Sequence, residues 1–353
     1  MRRSGKTFVA VVRKLPAGLV TYYVTARDLD SGRRWVSAKQ RIRVGPAPVV
    51  ARPTPPTATP QTPVPAQPPP VGPAQVVVYD LCADEGTTNL PGGVVVPIWG
   101  FSLGSGGSCG PAQLPGPMLE AVAGDIVTVN LTNNLATENV SLVFPGQTLP
   151  PDTVGVAPGA TASYTFTAAS SGAFLYETGV NTQIQLPMGL YGALVVRPVG
   201  LPGQAYPDPS TAFDVERVLV LSEIDVDLNA SPGVFAPLDW DPEYWLLNGE
   251  AYPDTDAIVA APGQRVLLRY LNAGQDHHTM TLLGMRQRVI ARDAFQPVVT
   301  PDLVAETIAS GSAVDAIATV PDSGTSFPIY SRQLNVTNGP SFPGGMITFV
   351  TVP

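Results

Sequence analysis

From residue 75 onward, apolar and polar residues alternate in runs too short for a helix, and proline–glycine turns break them up. Val127, Val129 and Leu131 alternate with Thr128, Asn130 and Thr132; Tyr164 and Phe166 alternate with Thr165 and Thr167; His278, Met280 and Leu282 alternate with Thr279 and Thr281. A period of two is the signature of a strand with one buried face. Continuous apolar runs at Val218–Leu221 and Ala193–Val196 predict strands buried on both faces. Turns fall at Ala157-Pro158-Gly159, Ala261-Pro262-Gly263 and Phe342-Pro343-Gly344-Gly345. With 39 prolines and 34 glycines among 353 residues, no long amphipathic helix is in sight. The reading is all-β, with enough short strands for two sandwiches.

Before this body the chain changes character. Residues 1–44 carry 11 Lys+Arg against 2 Asp+Glu, whereas residues 45–353 carry 9 against 26. Strand-like segments at Thr21–Ala26 and Arg41–Val44 flank a turn at Asp28-Leu29-Asp30-Ser31-Gly32. They predict a partial sandwich of the immunoglobulin or fibronectin type, because a whole one takes about seven strands. Residues 45–74 are expected to be an extended spacer: 12 prolines fall between Gly45 and Pro73. The expected domains are therefore 1–44, the linker 45–74, and two sandwiches at 75–199 and 212–353.

Several chemistries drop out. No lysine follows Lys39, which removes a phosphate loop, a Schiff-base lysine and a nucleic-acid surface from the body. His277 and His278 are the only histidines. Being adjacent on a strand, they point to opposite faces, so one packed and one solvated ring is expected rather than a chelate. No Gly-x-Ser-x-Gly elbow supports a serine hydrolase. Gly104–Gly110 lacks the residues of a nucleotide loop and reads as a flexible turn. Cys82 and Cys109, the only cysteines, read as a disulfide of an oxidising compartment, the alternative being two buried free thiols. Glu223, Asp225 and Asp227 alternate with Ile224 and Val226, which predicts three carboxylates on one face of a solvated strand edge. Trp240, Tyr244 and Trp245 are expected in packing. No apolar run reaches the length of a membrane span. Met1-Arg2-Arg3 leads into no apolar signal core; export would require a longer product or a leader already removed.

Particular segments go further. Pro115-Gly116-Pro117-Met118 ahead of Gly124-Asp125, the run Gly189–Pro198, Asn248-Gly249 and Val289–Asp293 resemble, in this order, landmarks of the multicopper oxidase family. The resemblance covers residues 75–353 and implies two cupredoxin-like Greek-key sandwiches. It also implies where copper ligands would lie. The first His-x-His of the family falls on Val143 and Pro145, and the second on Glu177 and Gly179. The His-Pro-x-His-x-His-Gly run aligns with His278, Thr281 and Leu283, and Met346 matches the axial methionine. The expected His-Cys-His stretch before Met346 has neither residue type. A blue-copper site needs a cysteine thiolate with two imidazoles.

These readings predict a protein exported to the cell surface, with the periplasm as alternative, that serves as a structural or binding module and not as an enzyme. No cofactor is expected, copper being the alternative. His278 and Met346 are the only candidate metal ligands. The first-sandwich positions are expected to form a compact apolar patch, with Glu177 bonding backbone amides, Thr178 or Tyr176, or facing solvent. The competing functions are a copper oxidoreductase completed by another chain and a copper carrier. Expected partners are other copies or other surface proteins, with no nucleic acid.

Overall fold

The computed structural model describes residues 18–22, 25–27, 34–36, 40–44 and 74–353. The chain divides into two compact units, Met1–Gln67 and Pro68–Pro353. Within the first, Gly18–Tyr22 pairs antiparallel with Gln40–Val44, and Thr25–Arg27 with Arg34–Val36. The turn expected at Asp28–Gly32 and the proline-rich stretch 45–73 lie outside the described residues.

The second unit is all-β and holds four sheets. A five-stranded sheet runs in the order Thr161–Thr167, Ile126–Asn133, Val76–Leu90, Val94–Ser105, Ser108–Cys109. It faces a three-stranded sheet of Gly172–Glu177, Tyr191–Arg197 and Gly116–Val122. A seven-stranded sheet follows, centred on Val215–Ile224, Arg265–Asn272, Ala313–Thr319 and Gln287–Arg292. Its partner has five strands, among them His278–Leu282, Ser326–Ser331, Ala305–Ile308 and Ile347–Thr351. Neighbouring strands are often distant in sequence, as a Greek-key sandwich requires.

The alternation read from the sequence decides which side of each strand is dry. Val127, Val129 and Leu131 are fully buried in the first core with Phe101, Phe144 and Leu194. Met280 and Leu282 lie in the second with Leu219, Leu221 and Met346. The continuous apolar runs have a different cause. Leu194 and Val196 enter the first core, while Ala193 faces the other way into a third cluster with Leu175, Val220 and Leu271. Leu219 and Leu221 enter the second core while Val220 joins that same cluster. These strands are apolar on both faces because the sandwiches pack on each other through them.

Two local devices shape the first sandwich. Pro91-Gly92-Gly93 turns the longest strand back on itself, with φ of 85° and 76° at the two glycines, a region a side chain disfavours. Cys82 and Cys109 are bonded, their Cα atoms 5.9 Å apart, so the free-thiol alternative falls away. A loop of this length stabilises by about 3–4 kcal/mol in the chain-entropy model.

Candidate functional site

The sandwiches meet along a cleft to which both contribute chemistry. From the first, Glu177 closes the strand Gly172–Glu177, and its backbone pairs with Val143 in both directions, at 2.7 and 3.0 Å. Thr182, Gln183 and Leu186 of the short helix Thr182–Met188 stand beside it. From the second come Ala273, Gly274 and Gln275, which follow the strand Arg265–Asn272, together with Ser310 and Gly311. The open cleft holds about 230 Å³. Among the described residues no donor reaches the Glu177 carboxylate, and burial pushes its pKa up to about 7.

This differs from the expected hydrogen bonding. Tyr176 gives its hydroxyl to the Pro117 carbonyl at 2.6 Å, and Thr178 bonds the side chain of Gln185 at 2.6 Å. Both candidate donors are engaged elsewhere, so Glu177 is left facing the cleft. Nor do the four first-sandwich positions form one apolar patch. Val143, Glu177 and Gly179 come together, but Pro145 is exposed and lines a separate cavity of about 120 Å³ beside Asp293. At Gly179 an added Cβ would lie 2.4 Å from the Asp152 carbonyl oxygen and 2.7 Å from Val143 Cγ1. Any side chain there, an imidazole included, needs the backbone to move.

In the second sandwich His278 is fully buried and its Nε2 contacts the Glu223 carboxylate, itself 3% exposed. Glu223 also accepts from the Gln275 amide at 3.0 Å. Gly274 makes room for this carboxylate, because an added Cβ would lie 2.2 Å from Glu223 Oε2 and displace it. On the other side of the ring, Ser331 Oγ lies 3.5 Å from His278 Nδ1, and the Ser331 amide donates to the Met346 carbonyl at 3.1 Å. Met346 is therefore close in the fold, within the apolar core. Ser331, His278 and Glu223 stand in a row, yet all are at most 4% exposed, which leaves a substrate no route to the hydroxyl. His277 is exposed and accepts from the Ser310 amide, so the two rings do diverge. Thr281 and Leu283 project opposite to His278: Thr281 bonds the Val304 carbonyl, and Leu283 is 56% exposed.

The acidic cluster also needs correction. Glu223 and Asp225 are buried, not on a solvated edge, because the strand ends at Ile224 and the chain turns into the helix Val226–Ala230. Asp225 caps that helix, accepting from Asp227 and Leu228, and takes a third amide from Asp241. Tyr244 packs as expected, 1% exposed beside Leu90 and Val96.

One group of residues escaped the sequence reading. Arg269 is fully buried and bonds Glu216 at 2.6 Å and Asp315 at 2.5 Å. Tyr206 donates to Asp315, and Arg197 links Glu216 to Glu120, so the network joins both sandwiches. The signal was present: Arg269 and Asp315 each interrupt an otherwise apolar strand.

The comparisons fit this architecture. Residues 111–200 match the family model described as multicopper oxidase. Laccase-7 of Oryza sativa subsp. japonica is 30% identical over 61% of this chain and 41% of its own length. L-ascorbate oxidase of Nicotiana tabacum is 35% identical over 39% of this chain and 25% of its own. The chain thus spans less than half the length of the curated relatives it matches. In fold it is similar to the blue copper oxidase of Nitrosomonas europaea, with a TM-score of 0.70 and 23% identity over 79% of this chain and 86% of the other. It is similar too to the copper nitrite reductase of that organism, with a TM-score of 0.63 over 78% and 94%. Residues 111–200 thus match the multicopper oxidase family, and the chain is similar to its members in sequence and fold.

That finding overturns the expectation of no cofactor in favour of the alternative, copper, for which the matching family model and both structural neighbours are named. The donors at hand do not match a blue-copper group. Both cysteine sulfurs are spent in the disulfide, and the Nε2 of the one buried imidazole is taken by a carboxylate. Among the described residues the single cluster of three metal-ligand side chains is Cys82, Asp84 and Cys109, two of which are that disulfide.

Proposed function

We propose that this chain is an exported member of the multicopper oxidase family that has lost oxidase competence and serves as a structural or binding module at the cell surface. The carrying observation is the buried contact of His278 with Glu223, at the position where the family resemblance puts a copper-ligating imidazole. Val143, Pro145, Glu177, Gly179, Thr281 and Leu283 are taken as the remaining former ligand positions, with sandwiches at residues 75–199 and 212–353. The disulfide supports an oxidising compartment. No helix among the described residues is long and apolar enough to cross a membrane.

A second reading keeps copper catalysis with donors supplied by another chain. It is favoured by the family match, since the matching family model and the similar solved structures are named as copper enzymes. One experiment separates the two. The purified protein is loaded with copper, its metal content and oligomeric state are measured, and phenol oxidation is followed. The first reading expects no oxidation and no intense visible band of a copper–thiolate bond. Oxidation by an oligomer holding stoichiometric copper would replace it with the second.

A further inference from the structure

Nine arginines are the only side-chain cations of residues 45–353 apart from the two histidines, set against 26 carboxylates. Arg197, Arg217, Arg269 and Arg292 follow the expectation for such a surface and pair with acids. Three others do not. Arg265, Arg286 and Arg288 converge on an open groove of about 530 Å³ on the outer face of the seven-stranded sheet, with no carboxylate at ion-pair distance among the described residues. Arg265 and Arg288 reach the groove from the strands on either side of Ala313–Thr319, level with Thr319 and Ile317. Both donate to one backbone carbonyl, that of Ser210, at 2.5 Å each. Arg286 touches only the Asp302 carbonyl, at 3.4 Å.

Two guanidinium groups held on one oxygen stand side by side, and like charges in that position repel unless an anion compensates them. Two nearby acids are turned to other work, while a third, Asp302, lines the groove without forming an ion pair to any of the three arginines. Asp208 accepts from the Ser210 amide and hydroxyl, and Asp214 accepts from the Arg265 amide. The carbonyl takes one donor from each fork and fixes its orientation, leaving the other N–H groups to face a ligand. Planar forks match carboxylate, sulfate and phosphate oxygens two at a time.

We propose that this groove is an oxyanion-binding site in which Arg265 and Arg288 form the fixed part and Arg286 the adjustable one. It lies away from the cleft and stands independently of the reading given above. The test is calorimetric titration of the full chain with inorganic phosphate, inorganic sulfate and a galacturonate trimer, with ionic strength held constant by sodium chloride. Saturable binding of at least one probe is expected. The tetrahedral ions or the trimer, whichever binds tighter, identify the ligand as a phosphate- or sulfate-bearing one or a carboxylate. The double variant R265Q/R288Q should bind at least tenfold more weakly, and R265K/R288K, which keeps the charge and loses the forks, should fall between. R286Q alters an exposed side chain, should weaken binding about threefold, and decides the question if the double variant does not fold. Absence of saturable binding by all three probes, or wild-type affinity in either folded Gln variant, overturns the proposal.

Discussion

Replacing Glu177 by glutamine tests the cleft directly. The carboxylate has no donor among the described residues, and burial pushes its pKa to about 7 against an ordinary value of 4.5. A raised folded-state pKa means that the folded chain holds the proton more tightly than the unfolded one. Its contribution is therefore fully present below about pH 4.5, is lost as pH rises toward 7, and stays lost above that. The shift caps the loss at about 3 kcal/mol at roughly 1.4 kcal/mol per tenfold change. Glu177 keeps part of its surface in the open cleft, where solvent screens the charge, so about 1–2 kcal/mol is the expected figure. For domains of this size that is roughly 3–8 °C in Tm. Glutamine keeps the shape and never ionises. E177Q should thus melt with the wild type at pH 4.5 and above it by that margin at pH 8. Melting curves across pH 4.5–8 would measure it. Equal Tm values at pH 8, or a wild type that is the more stable there, would show that the carboxylate is solvated or paired and would refute the reasoning.

Arg269→Met should cost about 3–5 kcal/mol in denaturant titrations, because it leaves Asp315 buried without its cation, and adding Asp315→Leu should recover part of the loss. Gly274→Ala should push the Glu223 carboxylate off His278 and cost about 2–3 kcal/mol, visible as a shifted denaturation midpoint. The native protein should offer no alkylatable thiol, and Cys82→Ser with Cys109→Ser should lower stability by about 3–4 kcal/mol; two thiols found without reductant would contradict the bond.

Much of the architecture was legible because the side-chain period of a strand depends on local geometry alone. The alternation at Val127–Leu131 and Met280–Leu282 named the core faces correctly, and the apolar runs at Ala193–Val196 and Val218–Leu221 announced strands covered on both sides. The same rule misled at Glu223–Asp227, where period two continued on paper past the end of the strand. Asp225 is an N-cap there, and a cap and a strand residue share the same extended backbone before the helix starts.

By itself the sequence indicated the all-β class, the turns at Pro158-Gly159 and Pro262-Gly263, the preferred pairing of the cysteines and the divergence of His277 from His278. Each depends on neighbours within a few residues or, for the cysteines, on there being two of them. Only the tertiary structure decided what the charged groups do. Glu223 meets His278 across 55 positions, Arg269 meets Asp315 across 46, and Arg265 and Arg288 share the carbonyl of Ser210 from 55 and 78 positions away. No local pattern encodes such pairings. They arise because sheet packing removes water from particular charges, and a desolvated charge must then find a partner wherever the fold has placed one.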